Sequence, residues 1–135
     1  MTTNGKDRAV LRELASEVAE IAALPVQRET IAAWKALNGL KPVRPMVLID
    51  QIPWHEMDVD GELTLQTEDP FCRAVETRLR RLLYRWRHLR GDMVVEPVLE
   101  FSKVIRGLDF GMQKLEELAV SDPQNDVVSH RYIDQ

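Results

Sequence analysis

Three side chains in this sequence have the types and placement for proton transfer or cation binding: Asp50, His55 and Glu96. Each follows shortly after a continuous apolar run, Met46-Val47-Leu48-Ile49 for the first two and Met93-Val94-Val95 for the third. An apolar run of that length, bounded by turn formers, reads as a strand buried on both faces of a parallel sheet. In α/β architectures ligands bind where such strands end. A carboxylate and an imidazole meeting there suit general acid–base work, and a second carboxylate adds a cation site or proton relay. Trp54, in the same loop as His55, and Glu100, just beyond Glu96, are the weaker candidates for contacting a cofactor. The competing reading is a surface loop with a packed tryptophan, and carboxylates that only bond neighbouring loops.

Other chemical signatures fail on spacing. His55-Glu56 begins a zinc-protease motif, but the second histidine position holds Val59. The single cysteine, Cys72, has no ligand spacing to His55, His88 or His130. It falls in the first turn of a helix, where a small buried role is expected. Asp58-Val59-Asp60-Gly61 begins like a calcium loop without its later ligands and reads as a turn. Asp109-Phe110-Gly111 lacks the companion motifs of a kinase. No metal ligands are assigned.

The elements that must position the candidates are read from periodicity. Leu11, Leu14, Val18 and Ile21 make one helical stripe, with Asp7 the expected N-cap and residues 1–6 a disordered tail. Pro25 separates a second helix carrying Ile31, Trp34 and Leu37 and ended by Gly39. Residues 7–40 thus form a helical hairpin ahead of the first strand. Asp60-Gly61 marks a tight turn in a small hairpin or extended excursion. Asp69-Pro70 opens the longest helix, spanning 70–90, with Phe71, Val75, Leu79, Leu82, Trp86 and Leu89 as its apolar stripe and Gly91 closing it. Residues 112–120 have helical propensity, and the final stretch begins as loop with no evident terminating element. The strand–helix–strand portion implies a right-handed parallel crossover.

That long helix holds seven arginines, at 73, 78, 80, 81, 85, 87 and 90, against one acid, Glu76. The segment 71–91 therefore carries +6, leaving −10 on the rest of a chain whose net charge is −4. A basic helix can bind phosphates. Arginine near a helix C-terminus also suits the macrodipole, and its stem covers apolar surface. No aromatic side chains are interleaved on the arginine face, so nucleic-acid binding is the minor reading.

The 135 residues suffice for one domain, with 44% hydrophobic and 30% charged residues in ordinary soluble proportion. A lone cysteine fits a reducing compartment. No apolar run approaches a membrane span, and the first residues lack a signal-peptide core, so a cytoplasmic location with no membrane partner is expected.

Several stretches together resemble the N-terminal part of the uroporphyrinogen decarboxylase superfamily, nearest the branch of corrinoid-dependent methyltransferases. Arg44-Pro45-Met46-Val47-Leu48-Ile49 is similar to that family's first barrel strand. The long helix followed by Asp92-Met93-Val94-Val95-Glu96-Pro97 is similar to the next helix and strand, and Gly107-Leu108-Asp109-Phe110-Gly111-Met112 to a glycine-bearing turn. The wider wording ALNGLKPVRPMVLIDQIPWHEM and SHRYIDQ extends the resemblance over most of residues 9–135. It implies an α/β fold, the N-terminal portion of a TIM (β/α)8-type barrel over 44–135, in one domain from residue 7 to 135. Decarboxylases hold substrate carboxylates with arginines after the first strand. Asp50-Gln51-Ile52-Pro53-Trp54 occupies that place here, which points away from porphyrinogen decarboxylation. Methyl transfer in the family uses zinc, held by His and Cys in the later barrel, and a corrinoid protein. A full barrel takes about 250 residues. The resemblance therefore implies an incomplete barrel, inactive alone, that binds no cofactor itself and self-associates or joins a missing C-terminal portion. The alternative is a non-catalytic interaction module that uses the basic helix 71–91 on a nucleic-acid or protein partner.

Overall fold

The computed structural model describes residues 4–103 in full and the backbone of 116–122 and 127–132. The chain divides into two compact units, Met1–Val98 and Leu99–Gln135. The first is built from α1 (Gly5–Ala22), α2 (Pro25–Asn38), a single turn α3 (Trp54–Met57) and α4 (Pro70–His88), joined by irregular chain. In the second, β1 (Glu116–Asp122) pairs antiparallel with β2 (Val127–Tyr132), Val120 opposite Val128, with a bulge before Asp122.

The barrel expectation is overturned. Residues 4–103 contain no strand, and the sheet among the described residues is a two-stranded antiparallel ribbon rather than a parallel one. The physical reason lies in where the backbone groups go. Val47 accepts from Asp92 N–H at 2.8 Å and donates to the Asp92 carboxylate at 2.7 Å. Ile49 C=O accepts from Arg85 at 2.8 Å. Val95 N–H donates to the Gln27 side chain at 2.9 Å. The runs 46–49 and 92–95 therefore lie beside each other at one point, but side chains take the bonds a ladder would need. Pro45 and Pro53 bound the first run and Pro97 follows the second, and Gln51 turns left-handed at φ 55°. The excursion at 58–68 is likewise unpaired. Its Asp58 closes a turn by accepting from Leu63 N–H and the Thr64 hydroxyl, both at 3.0 Å, around Gly61 at φ +77°.

The helices form as the periodicity implies, with altered edges. Proline opens α2 and α4, where its missing N–H costs no intrahelical bond. Asp69 caps α4, accepting from Phe71 and Cys72 N–H at 3.0 and 3.1 Å. Asn4, not Asp7, caps α1, so Gly5 and Lys6, expected in a disordered tail, are helical. The buried face of α4 is Cys72, Val75, Glu76, Leu79, Leu83 and Trp86. It is rotated from the expected stripe: Leu83 replaces Leu82, and Phe71 stays 56% exposed. Val18 and Ile21 of α1 and Met93 and Val95 complete the core. In β1, propensity for helix gives way to pairing with the β-branched 127–128, and the terminal stretch becomes its partner.

α1 lies along α4 with the two N-termini together. Asp7 is fully buried and accepts from Glu68 N–H, with both oxygens at 3.2 Å, and from Asp69 N–H at 3.0 Å. An anion there also offsets the positive ends of two aligned helix dipoles. Further along, Glu17 pairs with Arg87 at 2.6 Å.

Gly91 and Leu40 show where backbone conformation decides. Gly91 has φ +48°, and a Cβ there would stand 2.8 Å from Val47 O. α2 ends with Leu40, not Gly39, in the left-handed region at φ 58°, while Lys41 N–H bonds back to Ala36 O at 2.9 Å. Gly91→Ala is expected to cost more than about 1 kcal/mol, from strain together with the clash. Leu40→Gly, at a residue 90% exposed, is expected to gain about 0.5–1 kcal/mol. Paired urea melts of the two variants check both signs.

Candidate functional site

The constellation that best repays a chemical reading is α4 with the irregular chain wrapped on it. Its organising group is Glu76, fully buried at the middle of the helix. One oxygen accepts from Gln66 N–H and from Arg80 Nε at 2.9 and 2.7 Å. The other accepts from Thr67 N–H at 2.9 Å and from the Thr67 hydroxyl at 2.7 Å. Burial pushes this carboxyl up, but the Thr67 hydroxyl, the two backbone N–H groups and Arg80 outweigh it and hold it down at about 2.

The arginines of α4 do the complementary work on carbonyl oxygens. Arg73 donates to Thr67 O at 2.8 Å, Arg80 to Glu62 O at 3.0 Å and Arg85 to Ile49 O at 2.8 Å. Arg87 bridges Glu62 and Glu17 at 2.8 and 2.6 Å. Arg81 stacks over Trp54 at 5.0 Å and Arg90 over Trp86 at 3.9 Å. Six of the seven arginines are thus engaged by the chain's own oxygens and indoles, and Arg78 is not free either. The guanidinium fork suits this role, because it can serve a carbonyl and a second acceptor at once.

At the C-terminal end of α4 the same network becomes aromatic. The Trp54 ring meets Tyr84 edge-on at 6.0 Å, and Tyr84 lies against His88 at 4.5 Å. His88 Nε2 is 2.7 Å from Glu62, whose carboxyl is lowered by Arg87 first and His88 second. A matching clasp holds the other side. Arg44 grips the Asp92 carboxylate through both terminal nitrogens, and that bond, with Val47 N–H, lowers Asp92 to about 2. Trp34 donates to Asp92 O at 2.7 Å.

Of the sequence candidates, Asp50, His55, Glu96 and Glu100 are exposed and Trp54 is half-buried. Asp50 accepts from its neighbour Gln51 N–H at 2.9 Å. His55 faces Glu56 at 3.4 Å within α3. Glu96 is exposed, and Glu100 is exposed in the second unit. Trp54 is the candidate that joins a built cluster, through Arg81 and Tyr84. Among the described residues no three His, Cys, Asp or Glu side chains are grouped to hold a metal ion. Cys72 is 2% exposed, and burial pushes its thiol up.

No family model matches this chain, and neither does any curated protein or solved structure. The residues that organise the site, Asp7, Glu76 and Asp92, were not read as such from sequence. Glu76 did stand out there as the one acid among seven arginines, which was the available signal.

The shift at Glu76 has a definite consequence for acid stability. Its folded value lies below its ordinary 4.5, so the stability it contributes is full above pH 4.5 and is lost as pH falls from there through about 2. Asp92 shifts in the same direction. Glu76→Gln is expected to be less stable than the parent at pH 7 by about 3 kcal/mol, since it breaks a pair whose carboxylate is fully buried and leaves the half-buried Arg80 without it. The gap should narrow progressively in urea melts taken from pH 5 to pH 2.5.

Proposed function

We propose that this chain is a protein-interaction module, and that its partner is held by the irregular segment 40–50 rather than by the basic helix. The observation that carries the reading is exposure. Within nine residues Leu40, Val43, Val47 and Leu48 are 90%, 82%, 56% and 60% exposed. Exposed apolar side chains that gather into one patch, rather than standing singly, mark protein interaction sites. Val47 and Leu48 are successive, so their side chains leave opposite sides of the extended backbone, and both sides are uncovered.

The engagement of the α4 arginines supports a protein over a nucleic acid. Phosphate binding needs guanidinium groups free to replace counterions. These groups instead fasten residues 49, 62 and 67 to the helix, so withdrawing them would loosen the fold. The methyl-transfer reading relied on strand ends of a barrel and lost that frame with it. No helix among the described residues is long and apolar enough to cross a membrane. A reducing, cytoplasmic setting belongs to the same reading, on the strength of a lone, buried cysteine.

The test pairs an apolar probe with a polyanion. The chain is expected to bind bis-ANS, and Leu48→Asp to bind it several-fold less with an unchanged melting temperature, since exposed substitutions shift stability by only about 0.5 kcal/mol. Anisotropy with labelled single-stranded RNA should show no binding that weakens between 50 and 200 mM salt. Steep salt-dependent RNA binding with no bis-ANS signal would overturn the proposal.

A further inference from the structure

Resting on that reading, we infer that the partner-holding segment is a hinged strap: residues 41–50 swing off the first unit as one piece about Leu40 and Gln51, with Asp92 as the latch and the core left closed. The backbone marks the hinges. Among the described residues, the non-glycine residues with left-handed φ are Leu40 at 58° and Gln51 at 55°, and they bracket the segment. A residue with a side chain is strained at such a φ, and the strain persists only while the chain between the two is held down.

The strap adds no buried side chain to the core. No residue between Gln27 and Thr67 is buried, and within the strap only Met46 and Ile49 are half-buried. A segment of that kind can leave without exposing the core, which is what separates a local opening from global unfolding.

Its fastening is concentrated on one residue. Arg44 grips the Asp92 carboxylate, Val47 N–H donates to the same carboxylate at 2.7 Å, and Asp92 N–H donates to Val47 O at 2.8 Å. The side chains of Arg44 and Asp92 are 52% and 12% exposed, so the clasp lies at the surface. The further tie runs from Arg85 to Ile49 O at 2.8 Å. That tie is incomplete, because Arg85 Nε is buried with no hydrogen-bond partner among the described residues. Opening returns this donor to water and relaxes both hinges, which offsets part of what the broken clasp loses. A partner meets Val47 and Leu48 in one geometry only while the strap is closed, so docking is coupled to the clasp.

Residue-resolved amide hydrogen exchange of the full chain tests this. It is read at Val47 and Asp92, whose N–H groups bond across the latch, and at Leu79 and Leu83 in the core. Corrected for intrinsic rates, Val47 and Asp92 should exchange about a hundredfold faster than Leu79 and Leu83, with protection equal to each other within about threefold. Arg44→Gln should cut the protection of both about tenfold and leave Leu79 unchanged. Gln51→Gly should raise the protection of both about threefold, because it relieves a hinge of the closed strap. The flicker of a single bond at Val47 would not respond to glycine at 51. Exchange of Val47 and Asp92 at the core rate overturns the inference. So does an effect of Arg44→Gln on Leu79 as large as that on Val47, and so does indifference to Gln51→Gly. None of these outcomes alters the bis-ANS signal at Leu48, which decides the docking reading. A strap that opens in a chain without that signal keeps the hinge and removes the docking reading.

Discussion

A carboxylate withdrawn from water must find donors for both oxygens or lose its charge. Glu76 finds four, and three of them belong to a stretch of chain, residues 66–67, that has no regular structure of its own. The first unit depends on this arrangement. α4 supplies the apolar face that makes the core, and the same helix supplies charges that hold the irregular chain against it. Asp7 repeats the device at the helix N-terminus and Asp92 repeats it beside Val47. Arg73, Arg80 and Arg85 mirror it with the opposite sign, donating to carbonyls. Side chains thereby satisfy backbone groups that a sheet would otherwise pair.

This arrangement explains which parts of the fold could be read in advance. The three long helices were legible because their signals are local: proline at a first turn, Asp69 as a cap, apolar residues at three and four. The burial of Cys72 was expected from its type and its place in the first helical turn, whereas the apolar periodicity pointed to its exposed neighbour Phe71. Extended segments held by side chains leave no such signal. Met46–Ile49 has the composition of a buried strand, and composition cannot reveal that its bonds go to Asp92 and Arg85, 36 to 45 residues away. Asp7 illustrates the point from the other direction. A polar residue near a helix start reads as a cap, yet this one is turned inward to N–H groups more than 60 residues along the chain.

The candidate site was legible in part for a related reason. Residue types suggested acid–base chemistry at Asp50, His55 and Glu96, and a strand-end frame would have given those types a shared location. With that frame absent, Trp54 is the member drawn into a cluster, because an indole offers an arginine and a tyrosine something to pack on. The excess of arginine on one helix was visible at once. Its destination was not, since a guanidinium facing phosphate and one facing a carbonyl have the same sequence.

Holding chain by its backbone has a bearing on how freely this protein can vary. Gln66, Glu68 and Ile49 are gripped through their amide or carbonyl atoms, which every residue but proline presents alike. Many side chains are therefore interchangeable at those positions. The restriction moves to the distant partners, where Glu76, Asp7 and Arg85 must keep both charge and reach. Sequence drift in this chain would be free along its irregular stretches and confined on its most regular helix, and a proline at 66 would be as damaging as the loss of Glu76 itself.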